Sequence, residues 1–134
     1  MKMRLITLLV IVAALGGCAI FDNRPPEEIV GERAQTRLDL LLSKDFERSY
    51  QHMTPGYRAI HTVDQYTVDF AGSGMWTDTS IATVGCTRVG EAPVTACKVV
   101  ALISYPAPRM GYIQATEVTE NWVLLDGRWY MNYK

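Results

Sequence analysis

The sequence predicts an α+β domain, with N-terminal helices packed on a curved antiparallel sheet. Three observations predict it. Between Glu27 and Phe70 the apolar residues recur at the 3.6-residue helical period. Beyond Trp76 the chain turns to β-branched residues in two-residue alternation, broken by Gly- and Pro-containing turns. All the helical pattern precedes all the strand pattern, the order of an α+β chain rather than of alternating βαβ units.

Ahead of this domain stands a leader. Lys2 and Arg4 precede Leu5–Leu15, 11 residues in which only Thr7 is polar. A basic start with a short apolar run reads as an export signal, and a membrane-spanning helix needs about 20 residues. The run closes on Leu15-Gly16-Gly17-Cys18. This resembles the lipobox of bacterial lipoproteins: an aliphatic residue, two small residues, then cysteine. Small residues let the backbone enter a protease cleft, and the thiol is the nucleophile that takes a diacylglyceryl group. Glycine two places before the cysteine departs slightly from the usual Ala or Ser. The resemblance implies that residues 1–17 are a signal peptide and that Cys18 is lipidated and becomes the mature N-terminus. The bilayer is then the first partner, and two or more acyl chains hold a protein stably. Ala19 stands where an Asp would resemble an inner-membrane retention signal, so the expected location is the periplasmic face of the outer membrane.

Residues 18–28 read as the lipidated cysteine and a tether, stiffened by Pro25-Pro26, and 29–134 as one domain. Loss of the leader leaves 117 residues, and loss of Lys2 and Arg4 leaves 11 basic residues against 14 acidic ones, about −3. That balance disfavours nucleic acid as a partner, which would want a basic face.

The first helix spans Glu27–Lys44, with Val30, Ala34, Leu38, Leu41 and Leu42 on its apolar side and Glu32, Arg33, Arg37 and Asp39 largely elsewhere. Asp45 can cap a second helix carrying Phe46, Tyr50 and Met53, and Thr54-Pro55-Gly56 stops it. Thr62 and Gln65 form a capping box for a third helix with Val63, Tyr66 and Phe70. Strands follow at Ser80–Val89, Val94–Tyr105, Tyr112–Leu125 and Arg128–Tyr133, the last two joined by the hairpin signal Asp126-Gly127. In the third strand Val118, Trp122 and Leu124 share a face, opposite Glu117, Thr119 and Asn121.

With Cys18 set aside, Cys86 and Cys97 remain. A four-residue loop Gly90–Pro93 sets Val89 against Val94, and in that register Cys86 faces Cys97. Opposed antiparallel residues have Cα atoms about 4.5–5.5 Å apart, within disulfide reach, and an oxidising periplasm permits the bond. The alternative is two buried free thiols; a redox pair would want Cys-x-x-Cys.

The amphipathic helix, Lys44-Asp45-Phe46 with Tyr50, Thr54-Pro55-Gly56-Tyr57-Arg58, Glu120-Asn121-Trp122 and Asp126-Gly127-Arg128-Trp129 together resemble the NTF2-like superfamily. The resemblance covers most of Glu27–Tyr133 and carries no diagnostic catalytic motif. It implies a cone of sheet wrapped around helices, whose mouth could hold a ligand through Tyr57, Arg58, Tyr66 and Trp76. Each of these has a structural alternative: Arg58 pairs with a carboxylate, and the aromatic rings fill core. Some enzymes of this superfamily use an Asp and a Tyr inside the cone, but Asp64 and Asp69 beside Tyr66 do not align onto those positions, and Asp64 complements the dipole of its helix. His52 and His61 lack metal-ligand spacing. No catalytic residue, metal site or cofactor is therefore assigned. Three functions follow in order: a noncatalytic binding or scaffold module of the cell envelope, partnered by an envelope protein or by a second copy through the sheet face; a small-molecule binder; an isomerase- or cyclase-type enzyme. An open cone favours the binder, a filled one the scaffold, and a buried carboxylate or His beside a phenol the enzyme.

Overall fold

The computed structural model describes residues 22–134, so the leader, the lipobox and Cys18 lie outside the described residues. The helices are α1 (Pro26–Leu42), α2 (Phe46–Tyr50), α3 (Pro55–Ile60) and α4 (Val63–Asp69), followed by a 3₁₀ turn, Ala71–Met75. The strands are β1 (Asp78–Cys86), β2 (Ala96–Pro106), β3 (Ile113–Leu125) and β4 (Arg128–Met131). They form one antiparallel sheet in the order β1-β2-β3-β4. The predicted fold class stands: helices packed on an antiparallel meander.

Local signals account for the element ends. Asp45 accepts from the Arg48 amide at 3.1 Å and caps α2. Thr62 and Gln65 cap each other's amides at the start of α4. Asp126 and Gly127 both take positive φ, 49° and 75°, as a two-residue hairpin turn requires. Thr54-Pro55-Gly56 behaves otherwise than expected. It starts a helix instead of only ending one: the Thr54 hydroxyl accepts from the Tyr57 amide at 3.2 Å, and Pro55 occupies the first turn, where its missing N–H costs nothing.

The helices bury one side against the inner sheet face. Val30, Ala34, Leu38 and Leu41 meet Cys97, Val99, Ala101 and Ile103 of β2, with Trp122, Trp129 and Met131 beside them. Leu42, expected in this stripe, is only half-buried, and its place is taken by Arg37. The first strand ends at Cys86 rather than Val89, because a turn at Val89–Ala92 with Gly90 at φ 55° pulls the chain out of the ladder. The offset across the longer loop is unchanged, so Cys86 still faces Cys97. The two are joined by a disulfide, Cα atoms 3.9 Å apart.

Replacing both cysteines by alanine should cost about 3 kcal/mol or somewhat less in the chain-entropy account of so short a loop. Urea unfolding of the oxidised and double-Ala chains measures it. Equal midpoints would show that the bond contributes nothing.

Candidate functional site

Position 37 lies seven residues beyond Val30 and three beyond Ala34, which turns it toward the sheet. On β3 the alternation that buries Trp122 buries Glu120 as well. The two charged side chains meet inside the domain, Arg37 1% exposed and Glu120 2% exposed. Arg37 Nη1 donates to Glu120 Oε1, and Trp122 Nε1 donates to Glu120 Oε2 at 3.0 Å. The guanidinium carbon of Arg37 lies 4.8 Å from the Phe70 ring centre and 6.0 Å from that of Tyr66. Arg37 Nε and Nη2 have no hydrogen-bond partner among the described residues. The ring faces of Phe70 and Tyr66 stabilise the cation instead.

Tyr66 is wholly buried, and its hydroxyl shares a 2.7 Å hydrogen bond with Ser49 Oγ. Burial pushes its pKa up, against the opposing charge of Arg37. Around it stands an aromatic cluster. Tyr57 stacks on His61 with centres 4.2 Å apart and meets Tyr133 edge-on at 5.9 Å. The Tyr57 hydroxyl donates to Asp69 Oδ2 at 3.4 Å. Burial, then the Asp69 charge, push the Tyr57 pKa up to about 12.

Two cavities open on this side of the sheet. One of about 280 Å³ is bordered by Arg37, Phe70, Trp76, Val118, Glu120 and Tyr133. A second, of about 360 Å³, lies toward the far end of the strands against Phe70, Met75, Trp76, Tyr105 and Thr116. Of the four residues singled out for a ligand pocket, Trp76 borders both cavities and Tyr66 lies behind Arg37. Tyr57 belongs to the aromatic cluster. Arg58 is turned to Gln51 Oε1, 2.7 Å away, and borders neither cavity. Asp64 sits in the first turn of α4 and is exposed.

The pair that organises the interior, Arg37 and Glu120, is absent from those four. The signals were present: the i, i+4, i+7 spacing from Val30, and the parity of Glu120 with Trp122. Chemically, the site holds a carboxylate and a phenol, the ingredients of proton transfer. Each oxygen of Glu120 accepts one hydrogen bond, from Arg37 and from Trp122, and the phenol is tied to Ser49; Glu120 borders the 280 Å³ cavity and Tyr66 does not. Among the described residues no group of three or more His, Cys, Asp or Glu is placed to hold a metal ion.

No protein-family model matches the sequence, and no curated protein does either. Among solved structures the chain is similar to a SEC-C motif containing protein from Rhodopseudomonas palustris, at 17% identity over 75% of this chain and 73% of that one, with a TM-score of 0.54. It is also similar to a Campylobacter jejuni protein whose name carries the words NTF2-like transpeptidase, at 13% identity over 77% of this chain and 96% of that one, TM-score 0.46. At such identities the first likeness concerns the fold alone.

Two outcomes follow. Arg37→Met or Glu120→Gln alone strands a buried charge or donor and should cost about 3–5 kcal/mol, whereas Arg37→Met with Glu120→Gln, which keeps an acceptor for Trp122, should recover most of that loss. Urea unfolding of the four chains gives the coupling; additive losses would show that the pair is not coupled. Separately, a raised folded-state pKa at Tyr57 contributes stability that is fully present below about pH 10 and is lost as pH rises toward 12. Tyr57→Phe should flatten that alkaline decline, and an unchanged slope would place its cause elsewhere.

Proposed function

We propose that this chain is an exported lipoprotein whose NTF2-like domain serves the cell envelope as a noncatalytic binding module. The observation that carries the reading is the state of the interior. Arg37 and Trp122 each donate to one Glu120 oxygen and Ser49 bonds the Tyr66 phenol, so the buried carboxylate is held as the partner of a cation, although Arg37 Nε and Nη2 stay without a partner among the described residues. The anchor rests on the leader and on Leu15-Gly16-Gly17-Cys18. The pairing of Cys86 with Cys97 supports it by leaving Cys18, of three cysteines, as the one for lipid. The periplasmic face of the outer membrane is the proposed location, an oxidising compartment in which such a bond persists. The outer sheet face, with Val100 and Leu102 among Lys98, Glu117 and Asn121, is the proposed contact for an envelope protein or a second copy. A second reading, a small-molecule binder, is favoured by the 280 Å³ cavity beside Arg37 and its apolar border.

The test is rescue of a deletion phenotype. Asp64→Asn, Asp69→Asn, Tyr66→Phe and His61→Gln, each shown to fold, should all rescue, while Cys18→Ser should leave an unprocessed or released chain that does not. A folded, near-isosteric variant that loses all function while partner binding survives would replace the binding reading with an enzymatic one.

A further inference from the structure

At the end of the domain nearest the tether lies a cleft of about 680 Å³, between Asp22 and Arg24, the first turns of α1, and the β3–β4 turn. Its charges are unevenly matched. Arg24 is held by Asp22 at 2.7 Å, Glu32 at 2.5 Å and Glu28 at 3.4 Å. Arg33 and Arg128 border the same cleft, and neither forms an ion pair with a carboxylate among the described residues. Arg33 Nε donates to the Trp129 carbonyl at 2.9 Å, which leaves its terminal nitrogens for something else. Burial, and then the charge of Arg128, push the Arg33 pKa down, against smaller opposing effects of Tyr130 and Glu32. The cleft thus has a cationic wall at Arg33 and Arg128, and carboxylates at Asp22 and Glu32.

We infer that this cleft seats the headgroup of a membrane glycerophospholipid, its phosphate on Arg33 and Arg128, the carboxylates of Asp22 and Glu32 being taken up by Arg24. The inference rests on the reading of Cys18 as the lipidated residue. Asp22 stands four positions beyond Cys18, and an extended chain of that length reaches at most about 14 Å. A lipid on Cys18 would therefore keep Asp22, at the edge of the cleft, within that distance of the anchored residue, close enough for the cleft to reach a polar layer roughly 5–7 Å deep. Guanidinium groups match phosphate through paired, charge-assisted donors. The surroundings suit an interface too. The β1–β2 loop converges on this end, with Arg88 bonded to Glu27 at 2.7 Å and the Leu124 amide to the Thr95 carbonyl at 2.9 Å. That loop and the hairpin tip expose Val89 (71%) and Leu125 (40%), apolar side chains that water alone does not favour.

The experiment uses the full chain purified from membranes, with the mass of its N-terminus measured first. Hydrogen exchange is followed in nanodiscs of phosphatidylethanolamine with phosphatidylglycerol, and in a nonionic detergent that lacks phosphate. Segments 22–33 and 123–131 should exchange several-fold more slowly in nanodiscs. Arg128→Gln should relax that protection by about fivefold, the contribution of one arginine at a lipid surface. Arg33→Gln with Arg128→Gln should abolish it while β2 stays protected, which shows that the fold is intact. A lipidated chain that exchanges alike in both media overturns the headgroup site and leaves the anchor standing. A chain with no lipid on Cys18 overturns both. Protection reproduced in detergent by inorganic phosphate alone would make this a site for a soluble anion and overturn the membrane assignment.

Discussion

Burying two opposite charges where only one geometry suits both is the constraint around which this domain is built. Arg37 and Glu120 are 83 positions apart, yet each is closed off from water. Taking them out of water costs several kcal/mol per ion unless the pairing is close and the remaining groups are met. Trp122 meets the second carboxylate oxygen, and the rings of Phe70 and Tyr66 face the guanidinium. These requirements fix α1 against β3 in rotation and in translation, since a shift of α1 by one residue would carry Arg37 off the line of Glu120. They also explain why Phe70, at the C-terminal end of α4, comes back over α1.

The remaining elements are too short to stand alone. Helices α2, α3 and α4 have five, six and seven residues, well under the roughly 12–15 at which an isolated helix becomes even marginal. Each is held by a side-chain cap at its start and by contact with the aromatic cluster. On the sheet, β3 has 13 residues and β4 only four, so β4 covers just Trp122–Leu125. The edge of β3 from Ile113 to Glu120 has no strand beside it among the described residues. The two ends of the sheet therefore differ. One is closed by the disulfide and a tight hairpin; the other is wider and borders the cavities at Trp76.

Features specified by neighbouring residues were legible in the sequence. Asp45, the Thr62–Gln65 box and Asp126-Gly127 act over two to four positions, and the Cys86–Cys97 pairing follows from counting across one loop. Thr54-Pro55-Gly56 was ambiguous because the same three residues can stop one helix and start the next; the Thr54 hydroxyl decides it through an amide three residues ahead. Arg37 is set apart from the predicted apolar stripe, and Glu120 is given no face, for a different reason. A charged residue belongs on the solvent face unless a partner meets it, and here the partner is supplied by tertiary structure alone. The spacing of Arg37 from Val30 and the parity of Glu120 with Trp122 point inward, against what their charge suggests. Arg58, for which the sequence leaves open both a ligand at the cone mouth and a structural pairing with a carboxylate, instead donates to the side-chain carbonyl of Gln51, seven residues back.

A tether fixes more than location. Because the described chain enters α1 at Pro26, beside the β3–β4 hairpin and the β1–β2 loop, a lipid at Cys18 would hold that end toward the bilayer. β2 runs away from it for 11 residues, about 35 Å at the usual rise. The cavity at Trp76, Tyr105 and Thr116 and the uncovered edge of β3 lie toward the opposite end of the domain. The outer sheet face stands between, reachable from the side. So anchored, the domain would carry that cavity and the uncovered β3 edge on the side away from the anchor and the cleft at Arg33 and Arg128 on the near side. That division needs no chemistry from the buried pair. It needs only that α1 and β3 keep a fixed alignment, which the Arg37–Glu120 contact provides.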